Sequence, residues 1–469
     1  MSWSVGSRVG RAAGDIKPLT AASDRAPRLL SLDVFRGLVM LVLVPNVYGG
    51  FSFYEMAARD PQSPVWPFLA RQFTHAQWSG CTIWDLVMPS FVFMIGVAIP
   101  YSYAARKGRG ESDAWIFAHA VFRAVVLLVL GVELQMTIQT RADLLWPFLI
   151  LAVGLPVPAL IARRLGVGGT HGERAIIVLW WGTIVVASVF RLSSHVYQMR
   201  GIAFHDILPQ VGLGYVFAFI VSRYALRMRA LTALAILFAF WLAFLIFPLP
   251  GPGFSSTAVG VAPGDELFLG YFAHWNKNTN LAAAFDRWFL NLFPTTEPFA
   301  FNTHGYETLN FIPTIVTMVL GTIAGDYLRG DRPRVQTRNG LLTAGGFGVF
   351  GGLMLGWAAC PIVKSIWTPS WTIFSAGLVT VALGCLYHVV DVRGYHAWTL
   401  PFVVAGLNPI LLYTLALHYR WPVVEVWRRG LGPALFAGYW GPVLESVACG
   451  LSLWLVAYAA YRLKLFVRI

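Results

Sequence analysis

The feature that most constrains this chain is a series of apolar runs, each close to 20 residues long, that recurs between residues 31 and 462. A run of this length can cross the hydrocarbon core of a bilayer as an α-helix. The runs are continuous and do not alternate, which argues against strands, and a lipid-facing backbone must satisfy its hydrogen bonds internally. The sequence therefore predicts an all-α, polytopic helix bundle in a lipid bilayer.

Twelve transmembrane helices are predicted from these runs. They lie at about residues 31–52, 84–103, 116–137, 143–162, 174–190, 207–222, 230–249, 309–327, 341–362, 369–390, 400–419 and 441–462. Composition agrees, because only 12% of the residues are charged and 57% are hydrophobic, whereas soluble domains carry about twice that charged fraction. The four cysteines have no metal-ligand spacing, and no metal site is predicted.

The net charge of +13 is interpreted as a topological signal and not as a nucleic-acid-binding surface. Of the 35 Lys and Arg residues, 22 fall in the loops on one side of the predicted bundle and 11 on the other. The positive-inside rule then places both termini in the cytoplasm. Residues 1–30 form a basic cytoplasmic tail without the apolar core and cleavage site of a signal peptide.

Two predicted outer loops, residues 52–83 and 250–308, are long and rich in Trp, Phe, Tyr, His, Asn and Pro. Long loops that are not disordered in composition tend to carry function. This composition favours a folded cap over a site. No convincing internal repeat relates the two halves, which removes one usual sign of a transporter.

Ionisable residues inside a predicted span are functional candidates, since the bilayer makes them costly. Asp33 and Arg36 lie three residues apart at the cytoplasmic start of helix 1, so they either pair with each other or form part of a site. Arg123 lies about 10 Å into helix 3 at the helical rise per residue. It either extends back toward the cytoplasm or binds a buried anion.

His75 and Asp85 stand out at the outer start of helix 2. Asp85 near a helix N-terminus is either a structural cap or part of a site. His75, which is neutral near pH 7 and able to accept a proton, is a candidate general base. A lone histidine beside a membrane interface is more often structural.

Asparagines lie within two of the predicted spans. Asn46 lies toward the outer end of helix 1, and the pair Asn408-Pro409 breaks helix 11 near mid-depth. The proline frees a backbone carbonyl inside the bundle. A kink that only aids packing explains the pair equally well.

The remaining outer candidates open helices 8 and 10. Glu307 begins helix 8, and Lys364, Trp367 and Ser370 lie in the turn before helix 10. Lys364 and Trp367 also fit a plain interfacial anchor. No nucleotide-binding, serine-hydrolase or zinc-protease motif competes with these residues. The glycines of residues 345–352 are interpreted as close helix packing.

At these residues the chain resembles the heparan-α-glucosaminide N-acetyltransferase family, a branch of the transmembrane acyltransferases. The blocks that carry the resemblance are residues 28–37, 75–89, 280–287, 307–313, 360–370, 406–410 and 461–469. The block from His75 to Pro89 is the most distinctive, and together with residues 361–370 it is specific. The order and spacing of the blocks cover most of the chain.

The resemblance implies transfer of an acetyl group from cytoplasmic acetyl-CoA to an amino sugar or another saccharide on the outer side. His75 would accept the acetyl group transiently or act as general base, and Asp85 would orient it. Asn46 and Asn408 would stabilise the thioester oxygen. Residues 31–469 would form one transmembrane acyltransferase domain in a bacterial inner membrane.

Further roles follow from the same resemblance. The expected cofactor-binding residues are Arg36, Arg123, Asn408, Lys364 and Ser370, with the two arginines on the CoA phosphates. Glu307 would bind the acceptor.

Two tryptophans, Trp78 and Trp367, would stack on the sugar. A homodimer formed through helix 12 and residues 420–439 is left open.

The chain departs from the family pattern in two places. Gln210 is present in the turn before helix 6, but the arginine that usually follows is Val211. The apolar pair at 143–162 and 174–190 looks like a helical hairpin, within residues 141–200, inserted into ten core helices.

Two functions other than catalysis would fit parts of the sequence, those of a transporter and of a receptor or scaffold. A sugar transporter would use a buried polar pathway and aromatic outer loops equally well. A receptor or assembly scaffold would leave the cluster of polar groups without an evident use.

Overall fold

The structure, a computed structural model, describes residues 29–47, 49–135, 202–293, 295 and 297–467. Within these ranges the ordered elements are helices and no strand occurs. The helices are α1 (Leu30–Leu43), α2 (Phe53–Arg59), α3 (Trp66–Gln72), α4 (Val87–Lys107), α5 (Asp113–Gln135), α6 (Ile207–Ser222), α7 (Leu226–Ile246), α8 (Leu281–Phe289), α9 (Phe311–Arg329), α10 (Arg334–Ala358), α11 (Pro369–Tyr387), α12 (Leu400–Leu407), α13 (Pro409–Leu431), α14 (Pro433–Ala437) and α15 (Gly441–Arg462).

Helices occupy all ten of the predicted spans that fall in the described ranges. Among the described residues, seven helices are long and apolar enough to cross a membrane, or eight if the bent pair α12 and α13 is one span. The chain is therefore a polytopic membrane helix bundle. The predicted hairpin within residues 141–200 lies outside the described residues.

Helix 1 is shorter than the sequence predicted. It ends at Leu43 and not near residue 52. Pro45 lies two residues after Leu43, and a proline cannot donate the backbone hydrogen bond that would continue the helix. Asn46 consequently lies in the turn after α1 instead of inside the helix.

The bundle is held together by closely packed helices. A Cβ atom on Gly96 of α4 would collide with the Met318 carbonyl on α9, and one on Gly321 of α9 would collide with the Phe93 carbonyl on α4. Small residues let two backbones approach in this way. This packing holds α4, the helix that follows the segment containing His75, against α9.

The predicted close packing of the glycine-rich helix α10 holds for one of its faces. Gly345, Gly348 and Gly352 contact α11, where a side chain would meet the backbone of residues 374 and 377. A Cβ atom on Gly346 would meet no atom of a neighbouring helix within 4 Å among the described residues. The contacting face holds α11, which directly follows the turn that carries Lys364.

The two long loops that were predicted to lie on the outer side contain helices of their own. Residues 52–83 include α2 and α3, and residues 250–308 include α8 and three 3₁₀ turns. Trp78 of the first loop and Trp275 of the second are both buried in one hydrophobic cluster with Phe244. The loops therefore pack on each other and on α7.

Helix α4 separates two ends of the bundle. Asp85 precedes its first residue, and Arg106 and Lys107 are in its last turn. A helix of 21 residues is about 31 Å long, close to the hydrocarbon thickness of a bilayer. The His75 segment and the basic loop after α4 thus lie about one membrane thickness apart.

Candidate active site

His75 and Asp85 form a direct pair in the structure. His75 follows α3, and Asp85 lies in the 3₁₀ turn Trp84–Leu86 before α4. The two are joined by a 2.7 Å contact between His75 Nδ1 and Asp85 Oδ1. The Asp85 side chain is 1% exposed, whereas the His75 side chain is 40% exposed.

The surrounding backbone fixes Asp85 as a carboxylate. Its Oδ2 accepts hydrogen bonds from the amides of Ala76 at 3.1 Å and Thr82 at 3.0 Å. An ionised carboxylate only accepts, so the proton between the two side chains belongs to His75 Nδ1. His75 Nε2 is then the ring atom that can accept a proton from a substrate.

Lys364 joins this pair from the turn before α11. Its Nζ lies 3.0 Å from His75 Nδ1, 3.6 Å from Asp85 Oδ1 and 3.1 Å from the Tyr306 hydroxyl. Lys364 is 8% exposed. Sequence reasoning placed it near the outer face with a cofactor role, and the structure brings it into the His75 pair.

The surroundings of His75 set its basicity. Removal from solvent lowers the pKa of His75 below 6.5, the hydrogen bond to Asp85 opposes this, and the charge of Lys364 lowers it further. A histidine with a lowered pKa is neutral at physiological pH. His75 therefore stands ready to act as a base.

The turn that presents Lys364 is built from buried hydroxyl groups. Thr368 accepts from the Val363 amide at 3.1 Å, and Ser370 donates to the Pro361 carbonyl at 2.8 Å. The Asn310 amide donates to the Ser365 carbonyl at 2.7 Å. The Ser370 side chain, predicted to bind cofactor, is wholly buried in this turn.

The two tryptophans predicted to stack on sugar are both in the hydrophobic core. Trp78 is 3% exposed and donates to the Trp275 carbonyl, and Trp367 is 1% exposed and donates to Thr317. Both rings are covered by protein, because the segment that carries each tryptophan folds inward. Neither ring offers a free face to a sugar.

Asn46 is buried in the turn after α1 and donates to the Ser52 hydroxyl at 3.1 Å. The same loop places Gly50 against the ring of Phe73, two residues before His75. The loop of Asn46 and the segment of His75 are therefore packed together.

A buried acid pair lies behind Tyr306. Asp286 of α8 and Glu307 are 2% and 1% exposed. Asp286 Oδ2 accepts from the Thr308 amide at 2.9 Å, while Asp286 Oδ1 and both carboxyl oxygens of Glu307 meet no hydrogen-bond donor among the described residues. Burial and the Asp286 carboxyl raise the pKa of Glu307 well above its ordinary value, and burial raises the pKa of Asp286. The pair therefore binds a proton more readily than two solvent-exposed carboxyl groups would.

A small open cavity of about 90 Å³ adjoins Asp286 of this pair. Its polar lining residues are Asp286, His205, Thr295, Asn302 and Tyr306. The Tyr306 ring is stacked on His205 and meets the His75 ring edge-on, each at a centroid distance of 6.0 Å. Tyr306 thus joins the cavity to the His75 pair.

Sequence reasoning missed Tyr306, His205 and Asp286 as site residues. Asp286 belongs to a block that carried the family resemblance, and this was the one available signal. The other two carry no motif, because their place is set by the fold of the second outer loop. Glu307 lies directly before the 3₁₀ turn Thr308–Asn310, which leads into α9.

The inner candidates lie in separate places. Arg36 pairs with Asp33 at 3.5 Å, which is one of the two alternatives that the sequence left open. Arg123 of α5 donates to the Tyr215 hydroxyl at 3.4 Å, with its guanidinium 5.1 Å from the ring centre. Both arginines are on the helical part of the bundle, away from the cap.

Asn408 lies at an 83° bend between α12 and α13, which confirms the predicted break. Its side chain donates to the Leu465 carbonyl at 2.9 Å and accepts from the Val467 amide at 3.0 Å. Asn408 therefore holds the segment after α15. In this state both of its polar groups are engaged by that segment.

Across the described residues, no group of three or more His, Cys, Asp and Glu side chains is arranged to hold a metal ion. The site is built from organic acids, bases and hydrogen-bond donors.

Comparison with known proteins gives two relatives. The chain is 26% identical to the heparan-alpha-glucosaminide N-acetyltransferase of Mus musculus over 99% of its own length and 64% of the mouse protein. It is 27% identical to the Homo sapiens protein of that name over 87% of its own length and 55% of the human protein. No family model matches the chain. The chain thus spans less than two thirds of either relative.

These similarities support the family resemblance. Both relatives are named as N-acetyltransferases, which supports an acyltransferase enzyme.

Proposed function

We propose that this chain transfers an acetyl group from acetyl-CoA to a saccharide acceptor, such as an amino sugar, with His75 as the central residue. The observation that carries the proposal is the His75, Asp85 and Lys364 cluster beside an acid-lined cavity. The similarity to two N-acetyltransferases supports the same reaction class. The reaction would occur at the outer face of a bacterial inner membrane.

His75 has the geometry of a general base held by a carboxylate. Its Nε2 takes the proton of the acceptor amine or hydroxyl as the acceptor attacks the thioester carbonyl. Asp85 stabilises the imidazolium that forms. When the tetrahedral intermediate collapses, the carbon–sulfur bond breaks and the imidazolium gives its proton to the CoA sulfur. In the covalent variant Nε2 carries the acetyl group between two such steps.

One cation and one side-chain amide are suited to the negative charge that develops on the acyl oxygen. The Lys364 ammonium is held within 3.6 Å of Asp85 and the Asn46 amide is buried nearby. Donors fixed before the reaction stabilise the oxyanion without reorganisation. Lys364 thus contributes to the chemistry instead of to the CoA phosphates.

The acceptor would occupy the cavity of Asp286 and Tyr306. The acid pair of Asp286 and Glu307 has carboxyl oxygens without donors, and sugar hydroxyls or an ammonium group supply such donors. Buried polar groups left unpaired are costly. Binding of a polar acceptor would offset that cost and place its nucleophile on the His75 side of Tyr306.

The donor would extend through the bundle from the basic end. Arg36 and Arg123 are the candidates for its phosphates. Between the two ends, Ser375 of α11 and Thr414 of α13 have buried hydroxyl oxygens without a partner among the described residues. An amide-bearing pantetheine arm supplies partners of this kind.

The proposal is tested by free CoA release from purified protein given acetyl-CoA and glucosamine. Wild-type protein is expected to release CoA only when both substrates are present, and His75→Ala to lose at least about 100-fold in kcat, as is typical for removal of a general base. His396→Ala is the matched control, because His396 is an exposed loop histidine that lies beyond the end of α11 opposite the Lys364 turn. Equal rates for wild type and His75→Ala would remove the assignment.

A further inference from the structure

A buried arginine lies next to Asn46 without a carboxylate partner. Arg420 of α13 is 7% exposed. Its guanidinium donates to the Pro45 carbonyl and, at 3.4 Å, to the Ser52 hydroxyl. Buried cations are normally paired with carboxylates, and within the described part of the chain Arg420 makes no such ion pair.

Ser52 links this arginine to Asn46. Its Oγ accepts from Asn46 Nδ2 at 3.1 Å and from Arg420, and it lies 2.7 Å from the Ser446 hydroxyl. A hydroxyl accepts two hydrogen bonds and donates one. With Asn46 and Arg420 as donors, the hydrogen of Ser52 goes to Ser446, and the hydrogen-bonding capacity of Ser52 is full.

The backbone of this loop is held in an unusual conformation. Ser52 has a φ of 60°, in the left-handed region that non-glycine residues seldom adopt. Such strain persists only where surrounding contacts hold it. Arg420 supplies two of those contacts, one at each end of the turn from Pro45 to Ser52.

We propose that Arg420 is a positioning residue for the acetyl-transfer site, which holds the Asn46 amide in place through Pro45 and Ser52. The inference rests on the proposed function, in which Asn46 donates to the acyl oxygen. Its uncompensated positive charge also favours negative charge near Asn46, since electrostatic interactions are strong where water is excluded.

The test uses the full-length purified protein and CoA release from acetyl-CoA and glucosamine. Arg420→Gln is expected to lower kcat about tenfold or more, while both KM values stay within about twofold, because only the transition state loses stabilisation. Arg420→Lys is expected to fail similarly, since one ammonium cannot bridge Pro45 and Ser52 as a planar guanidinium does. Full activity of Arg420→Lys would overturn the positioning role.

A double-mutant cycle separates positioning from a general structural effect. In an Asn46→Ala background, Arg420→Gln is expected to cause no further loss of kcat, because the group that it positions is gone. An equal, multiplicative loss in both backgrounds would overturn the proposal. Arg428→Gln is the control. Arg428 likewise anchors α13, in its case to Glu445 of α15, but it lies two turns farther along α13 than Arg420.

A variant that fails to fold is replaced by a smaller change. Ser446→Ala removes only the hydroxyl that Ser52 contacts and should reproduce the kcat loss in part. Normal kcat in Ser446→Ala and Arg420→Gln together would contradict the proposal. A wild-type protein that releases no CoA would instead contradict the proposed function.

Discussion

The basicity of His75 depends on two neighbours of opposite charge. Asp85 accepts from Nδ1 at 2.7 Å, and Lys364 Nζ lies 3.0 Å from the same atom. The pKa of His75 is raised by Asp85 and lowered by burial and Lys364. The sequence could single out His75 and Asp85 because they are ten residues apart in one segment. It could not bring in Lys364, which is 289 residues away from His75.

The pH dependence of kcat/KM checks this arrangement. Activity requires neutral His75, so the rate falls as pH decreases through its pKa, and the midpoint should lie below 6.5. Lys364→Met removes a charge that lowers the pKa, and the midpoint should move to higher pH. Asp85→Asn removes a partner that raises the pKa and should move it to lower pH. Shifts in the opposite directions would contradict the assignment.

Cys81 lies six residues after His75 and would be a rival acetyl acceptor if it were a thiolate. Burial and the Asp85 charge raise the pKa of Cys81 to about 12. The thiolate is the nucleophile, so this thiol is unreactive near neutral pH. Cys81→Ser should therefore keep kcat within about twofold. A loss comparable to that of His75→Ala, in the same CoA release assay, would show that Cys81 takes part.

At the scale of elements, the turn between α10 and α11 positions Lys364. The Thr368 side chain accepts from the amides of Val363 and Trp371 and donates to the Pro361 carbonyl. Trp367 has a φ of 47°, a left-handed conformation that these bonds hold in place. Apolar runs predicted both helices, but a turn made by side-chain hydrogen bonds leaves no periodic signal. Its function was therefore underestimated from the sequence.

Thr368→Val tests this turn. Valine has nearly the same shape but leaves buried polar groups unpaired, which costs about 1–3 kcal/mol. We expect a lower melting temperature and a reduced kcat, because Lys364 loses its fixed position. The control is Thr380→Val on α11, where the threonine donates to the Ala376 carbonyl of its own helix. The prediction is wrong if both variants keep the wild-type kcat.

For the whole molecule, the sequence predicted a helix bundle with a folded cap, and the structure describes a helix bundle whose two long loops contain helices of their own. The ten predicted spans in the described ranges all contain helices, although α1 ends early at Leu43. Hydropathy reports length and composition, so it located the spans but not the contact between the cap loops through Trp78 and Trp275. That contact buries Trp78, so the proposed acceptor site is the cavity lined by Tyr306 and Asp286.

The central claim is transfer of acetyl from one membrane face to an acceptor on the other. Proteoliposomes with isotope-labelled acetyl-CoA sealed inside and glucosamine supplied only outside measure it directly. Wild-type vesicles should accumulate labelled acetylated sugar in the outer solution, and His75→Ala vesicles should form none. Equal labelling by both proteins, or uptake of unmodified glucosamine without any acetylated product, would contradict the account.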